Sequence, residues 1–341
     1  MNNIWRLTLD TNPEDCNLKC IMCEEHSKFS DFKKDLKKIS GKSRRVMPDE
    51  WLSDIFKEAK EIGVTEVIPS TMGEPLLYTH FDSIIRLCKE NNIKMNLTTN
   101  GTFPKKSIKE WSRLLVPILS DVKVSLNGAT AAVSEAIMEG SDFSNQISNL
   151  KEFIEYRNLY FAETGYYCSV TIQLTFLRNN MQELAEIIKL ASDLGVDRIK
   201  GHHLWAHFNE IKNLAFKESS ESINEWNECV DSALKAAQLY RKPNGEKITL
   251  VNIFPLSADG GELIPYEYDC PFLGKELWIS ATGKVSPCCA PDKLRDSLGD
   301  FGMYPNIGIK EISESKEYLD LVSNYKTRDL CKTCNMRQPK I

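Results

Sequence analysis

"DVKVSLNG", residues 121–128, alternates strictly: Val122, Val124 and Leu126 take one parity, Lys123, Ser125 and Asn127 the other. That is the period of a strand with one apolar and one polar face. The same alternation runs through "IKMNLTTNG" (93–101), where Met95 and Leu97 interleave with Lys94, Asn96, Thr98 and Asn100. It returns in "YYCSVTIQLTF" (166–176), where Val170, Ile172, Leu174 and Phe176 interleave with Ser169, Thr171, Gln173 and Thr175. Helical patterns separate the strands: "PDEWLSDIFKEAKEIG" (48–63), "FDSIIRLCKENN" (81–92), 105–118, 144–163 and "MQELAEIIKLASDLG" (181–195). With "IWRLTLD" (4–10), "VTEVIP" (64–69) and "VDRIKGHHLW" (196–205) as further strands, the β–α alternation repeats about six times and predicts a parallel sheet with helical crossovers.

Strands of a parallel sheet are usually apolar on both faces, because helices cover both. A packed barrel interior would carry Val, Ile and Leu, so the polar parity here implies a wide lumen that holds a polar ligand. The alternative, a sheet with one face in water, fits poorly with crossover helices. About six units are too few for a complete eight-stranded barrel, so the fold class expected is α/β, a partial (β/α)6 barrel. Residues 216–243 read as one long helix, "ITLVNIF" (248–254) as a further strand, and the Gly-, Pro- and Asp-rich stretch 255–269 as a linker. The expected organisation is a barrel over 1–215, a connecting segment over 216–269 and a small cysteine-bearing domain over 270–341.

The chain has 341 residues and a net charge of −5, which carries no electrostatic footprint for nucleic acid or an anionic membrane. No apolar run reaches the roughly 20 residues of a membrane span, and "MNNIWRLTLD" lacks the features of a signal peptide. The expectation is a cytoplasmic protein with neither nucleic-acid nor membrane partners. Eleven cysteines without a secretion signal point to metal binding rather than disulfides.

Three of them, Cys16, Cys20 and Cys23, fall in "DCNLKCIMCEEH" (15–26), just after the first strand. That end of a strand carries the chemistry in barrel-like α/β folds. Three thiolates do not close a tetrahedral zinc site, although His26 stands nearby as a fourth ligand. On a 4Fe–4S cluster they would hold three irons and leave the fourth open. A second group comprises Cys270, Cys288, Cys289, Cys331 and Cys334. Cys270 and Cys288 flank a hairpin, "ELWIS", "ATG", "KVSP", and Cys331 and Cys334 form a C-x₂-C knuckle. Four thiolates so arranged suit zinc or 4Fe–4S alike.

C-x₃-C-x₂-C after the first strand of a partial barrel resembles the radical S-adenosylmethionine (radical SAM) superfamily. The resemblance implies a 4Fe–4S cluster on Cys16, Cys20 and Cys23, its open iron chelated by S-adenosylmethionine, and reductive cleavage to a 5′-deoxyadenosyl radical that abstracts hydrogen from substrate. Met22 stands where the family usually has an aromatic residue beside the adenine. "TMGEPLLY" (71–78) resembles the family's Gly-Gly-Glu-Pro motif, with Met72 for the first glycine, and implies cofactor contacts from Gly73, Glu74 and Pro75. Asn100 in "TTNG" (98–101) and Ser125 and Asn127 in "SLNG" (125–128) resemble the polar strand ends that contact the cofactor; Asn127 replaces a commoner aspartate. Cys270, Gly283-x₄-Cys288 and Cys331-x₂-Cys334 resemble the auxiliary-cluster domain of SPASM/twitch enzymes. There are cysteines for one auxiliary 4Fe–4S cluster, which matches the shorter, twitch-like type. Cys288 is favoured over its neighbour Cys289 because it completes the Gly-x₄-Cys spacing.

Parity places Lys200 and His202 of "KGHHLWAH" (200–207) inward as candidate acid/base or substrate-orienting groups. The first strand begins near residue 4, leaving no room for a leader-gripping domain, which tilts the expected substrate toward a small polar molecule, carbohydrate- or aminocyclitol-like, undergoing dehydrogenation or dehydration. Modification of a peptide or protein side chain is the alternative. A flavodoxin or ferredoxin is the expected electron donor. From another class, the rival is a non-catalytic iron–sulfur carrier or a zinc-ribbon binding module.

Overall fold

The computed structural model describes residues 4–70, 72–216, 219–256, 265–290, 292–334 and 336–338. Nine strands among them form one sheet: β1 (Arg6–Leu9), β2 (Glu66–Ile68), β3 (Lys94–Thr99), β4 (Leu119–Ser125), β5 (Ser169–Phe176), β6 (Arg198–His203), β7 (Thr249–Val251), β8 (Glu276–Ile279) and β9 (Val285–Ser286). Their order is β7-β6-β5-β4-β3-β2-β1-β8-β9, parallel throughout except for the β8–β9 hairpin. Sequential parallel neighbours joined by helices are the β/α barrel pattern, and the ends of the sheet do not pair with each other.

The parity reading holds. Met95, Leu97, Val122, Val124, Val170, Ile172 and Phe176 are buried in the main core with the crossover helices. Thr98, Lys123, Ser125, Gln173, Thr175, Lys200 and His202 face a common cavity. β4 stops at Ser125, short of the expected end, because Asn127 leaves the ladder: its Oδ1 accepts from the Thr175 amide at 2.9 Å and its carbonyl from Asn180 Nδ2 at 3.0 Å.

The expected helix 216–243 is shorter as described, Ser220–Leu239, with Ser219 capping its N-terminus by accepting from the Ser222 amide. Residues 217–218, 257–264 of the expected linker and Thr71 of "TMGEPLLY" lie outside the described residues. Helix Phe32–Ser40 buries none of its residues, so no apolar period announces it. No described helix is long and apolar enough to cross a membrane.

The C-terminal hairpin is not set apart from the barrel. β8 pairs in parallel with β1, Arg6 opposite Glu276 and Thr8 opposite Trp278. Segments some 270 positions apart therefore share one wall.

Gly201 lies between the two predicted inward residues of β6. A Cβ there would stand 2.1 Å from the Phe176 ring, which is fully buried and packed 4.7 Å from Trp226. Gly201→Ala is expected to destabilise the fold by about 1–3 kcal/mol, the usual cost of overpacking. A lowered urea midpoint would record it; an unchanged midpoint would mean the ring has room to move.

Candidate active site

The cysteine loop is pinned at both ends. Leu18 and Ile21 are buried with Ile137 and Met138 in a small apolar cluster. The Lys19 and Ile21 amides donate to the carbonyls of Glu139 and Ile137 at 2.8 and 2.9 Å. On the other side Arg45 reaches over the loop: its backbone N–H and Nε donate to Glu14 at 2.6 and 2.7 Å, and its guanidinium to Glu25 at 3.1 Å. His26 Nε2 meets the Pro13 carbonyl at 2.7 Å, so this imidazole already has a protein partner.

Cys16, Cys20 and Cys23 line one cavity of about 400 Å³, together with Met22, Gly73, Asn100, Ser125, Asn127, Lys200 and His202. Seven of the nine residues expected to contact the cofactor or to act on substrate thus share a space with the three thiols; Glu74 and Pro75 do not line it. Cys16 Sγ lies 3.5 Å from the Leu18 amide and 3.8 Å from Asn100 Nδ2. Donors aimed at a buried sulfur suit a thiolate ligand. Without one, burial raises all three thiols, Cys23 to about 11, so filling the site must displace protons.

Gly73 is required where it stands. Its φ is +76°, and a Cβ would lie 2.6 Å from the Asn12 carbonyl and 2.7 Å from that of Asp15. This close approach locks the loop after β2 onto the cysteine loop. Glu74 turns away from the cavity lining. It is fully buried, and its carboxylate accepts from Thr99 Oγ1 at 2.9 Å, the Asn100 amide at 2.8 Å and the Leu76 amide at 3.2 Å. Burial pushes it up to about 7 against those three donors. Its geometry is that of a clamp holding the Asn100 turn; Pro75 behind it opens a buried 3₁₀ turn.

His202 is exposed on the lumen it lines. Burial and then the Lys200 charge push it down to about 4, so it is neutral at pH 7. Trp205, exposed at the far end of β6, is not part of the lining.

Cys270, Cys288, Cys331 and Cys334 gather beside β8. Burial and then the charges of Cys270, Cys288 and Cys334 push Cys331 up to about 12. The Leu273 amide points at Cys270 Sγ at 3.5 Å. Tyr325 and Tyr318 hydroxyls accept from the Cys270 and Gly274 amides, both at 3.1 Å, and fix the turn. Cys289 lies among the charges of Cys288, Cys334 and Cys270 and also lines the main cavity, where it faces the Lys200 charge. The two adjacent cysteines thus bridge the C-terminal group and the lumen.

Residues from β8 and from β1 complete the wall in a way sequence reasoning did not reach. Arg6, Thr8, Glu276, Trp278 and Phe272 line the same cavity. Thr8 and Trp278 alternate with apolar neighbours in their own strands, but only the β1–β8 pairing brings them together. A larger hollow of about 820 Å³ lies at the opposite ends of β5–β7. None of the cysteines lines it, and its central Asp197 is already paired with Arg157 at 2.8 Å and Lys242 at 3.0 Å, so the chemistry belongs to the smaller lumen.

Comparison with known proteins agrees with this geometry. The profile of the Radical SAM superfamily matches residues 13–191, and that of the SPASM iron–sulfur cluster-binding domain matches 270–335. Mycofactocin maturase MftC of Mycobacterium tuberculosis is 27% identical over 262 residues, 75% of this chain and 56% of the relative. The Mycobacterium ulcerans protein of that name is 22% identical over 75% of this chain and 60% of its own length. The chain therefore spans little more than half of the curated relatives it matches. Among solved structures, Streptococcus suis SuiB bound to S-adenosylmethionine has a TM-score of 0.65 at 18% identity, over 98% of this chain and 72% of that one. SuiB bound to the precursor peptide SuiA scores 0.66 at 18% identity, over 98% and 71%. AnSMEcpe with bound AdoMet scores 0.61 at 17% identity, over 97% and 88%. At these identities the structures speak for the fold.

Proposed function

The chain belongs to the radical SAM superfamily, an enzyme family that works with S-adenosylmethionine and 4Fe–4S clusters, and on that premise we propose that it modifies a side chain of a peptide or protein. The observation that carries the proposal is the lumen that the three thiols share with the polar groups of β4–β6 and β8. An inert electron carrier has no need of such a lumen. The rival zinc-ribbon module accounts for the C-terminal cysteines alone.

When bound on Cys16, Cys20 and Cys23, the cluster and S-adenosylmethionine supply the one-electron chemistry that removes a hydrogen atom from substrate. The chain's part is positioning. Met22 offers a thioether beside the cofactor's adenine. Asn100, held by the Glu74 clamp, and Ser125 and Asn127 offer polar contacts at the strand ends. Gly73 lets backbone approach closely. Lys200 and His202 stand two strands further round the wall, on β6; the neutral imidazole is ready to accept a proton, and Thr175 Oγ1, 3.4 Å away, orients it.

The peptide reading replaces the small polar molecule because of the company the fold keeps. The curated relatives are named maturases, and solved neighbours hold a precursor peptide or a bound peptide. The length ahead of β1 has no bearing on the choice, since the chain matches only part of its relatives. The test is a deuterium-labelled peptide encoded beside the gene, incubated anaerobically with reductant and S-adenosylmethionine. Label is expected in 5′-deoxyadenosine, with a matching mass change in the peptide. Label transfer from a hydroxylated small molecule, and none from peptide, would overturn the peptide reading.

A further inference from the structure

The lumen wall has a charge left over. β4, β5 and β6 stack their inward residues in level rows: Ser125 opposite Gln173 opposite Lys200, and below it Lys123 opposite Thr171 opposite Arg198. Arg6 is paired with Glu66 at 2.9 Å and Glu276 at 3.2 Å, and Arg198 with Asp121 at 2.9 Å. Every carboxylate facing this part of the wall is thereby used. Lys123 meets only the side-chain oxygen of Asn96, and Lys200 has no hydrogen bond or ion pair among the described residues. Asp121 attracts both lysines, and Glu66 attracts Lys123, but these carboxylates are already paired with Arg198 and Arg6, so the wall keeps one cation in excess and the two lysines repel one another where the dielectric is low. Both line the cavity, with Gln173 between them.

We propose that Lys123, Lys200 and Gln173 form the receptor for a carboxylate of the substrate. This rests on the reading that substrate enters the lumen, and it names the group by which it is held. A carboxylate accepts from two ammonium groups and an amide at once, and such charge-assisted bonds are about twice as strong as neutral ones. The Lys200 row lies two residues below that of His202, roughly 7 Å at the rise of a strand. A carboxylate anchored there leaves the substrate reaching up the wall, past His202, toward the three thiols at the strand ends.

Two sources offer this chemistry, an acidic side chain or the C-terminus of a peptide. Equilibrium dialysis of the anaerobic, cluster-loaded protein with S-adenosylmethionine separates them, with probe concentrations read by mass spectrometry. N-acetyl-glutamate methylamide is compared with N-acetyl-glutamine methylamide, and N-acetyl-phenylalanine with N-acetyl-phenylalaninamide. One carboxylate probe is expected to bind about tenfold more tightly than its amide, the worth of roughly one charge-assisted bond. Lys123→Met and Lys200→Met each remove that preference, Lys200→Arg restores it, and S-adenosylmethionine binding is unchanged in all three. Equal retention of carboxylate and amide, or of neither, overturns the proposal. So does loss of S-adenosylmethionine binding in the methionine variants, which would assign the lysines to the cofactor, or an intact preference beside a shifted cluster potential, which would assign them to the clusters. The dialysis involves no turnover, so its outcome stands apart from label transfer: a carboxylate preference with no deuterium from peptide leaves the receptor standing and removes only the peptide.

Discussion

Alanine in place of Cys16, Cys20 or Cys23 is expected to lower 5′-deoxyadenosine release to the level seen without protein. Each sulfur is one of three ligands, and the fourth iron position is useful only while the other three are held. Loss of an outer hydrogen-bonding partner of a metal site costs 10–100-fold, and loss of a ligand from a three-ligand set should exceed about a hundredfold. The fold should survive, because the loop is held by other means. Backbone bonds from Lys19 and Ile21, the buried Leu18 and the Arg45–Glu14 pair do not involve sulfur. Iron per chain should fall from about eight to about four, the content of one 4Fe–4S cluster. Circular dichroism, iron analysis and chromatography of the nucleoside together decide the matter. Release above background from a folded Cys20→Ala protein would take the cysteine loop out of the chemistry.

What could be read in advance divides along a physical line. Val122, Lys123, Val124 and Ser125 announce their two faces because a strand has a period of two, and the crossover helices then fix which face is inward. Local signals of this kind carried the barrel, the inward placing of Lys200 and His202, and the grouping of Cys16, Cys20 and Cys23 with the strand ends. The pairing of β1 with β8 has no local signal, since nothing near Arg6 reports that Glu276 will lie opposite. The inner charge ledger depends on that pairing and was therefore out of reach. Glu74 is an intermediate case. Its neighbourhood was legible from Gly73 and Pro75, but its direction was not. Three donors from Thr99, Asn100 and Leu76 outcompete the lumen for its oxygens, and only the folded β2–β3 connection assembles them.

The second large effect separates initiation from completion. Cys331→Ala and Cys334→Ala are expected to keep 5′-deoxyadenosine release within about threefold of the parent, because the N-terminal ligand set is untouched, while product formation is lost. Removing a hydrogen atom leaves the substrate one electron short of a closed shell. A net two-electron oxidation also requires that a proton and a second electron depart. His202, neutral at pH 7 and facing the lumen, is the proposed acceptor for that proton. The electron needs an acceptor held close by. An auxiliary cluster on the C-terminal cysteines would stand close by, since Cys289 lines the lumen and its neighbour Cys288 lies with Cys270, Cys331 and Cys334. One residue of backbone thus separates the cavity wall from the proposed cluster ligands. The iron count distinguishes the two adjacent cysteines: Cys288→Ala should lose about four irons, one cluster's worth, and Cys289→Ala none. Full-rate product formation by Cys331→Ala or Cys334→Ala, with the iron gone, would reduce the second site to a structural support and require the electron to leave by another route.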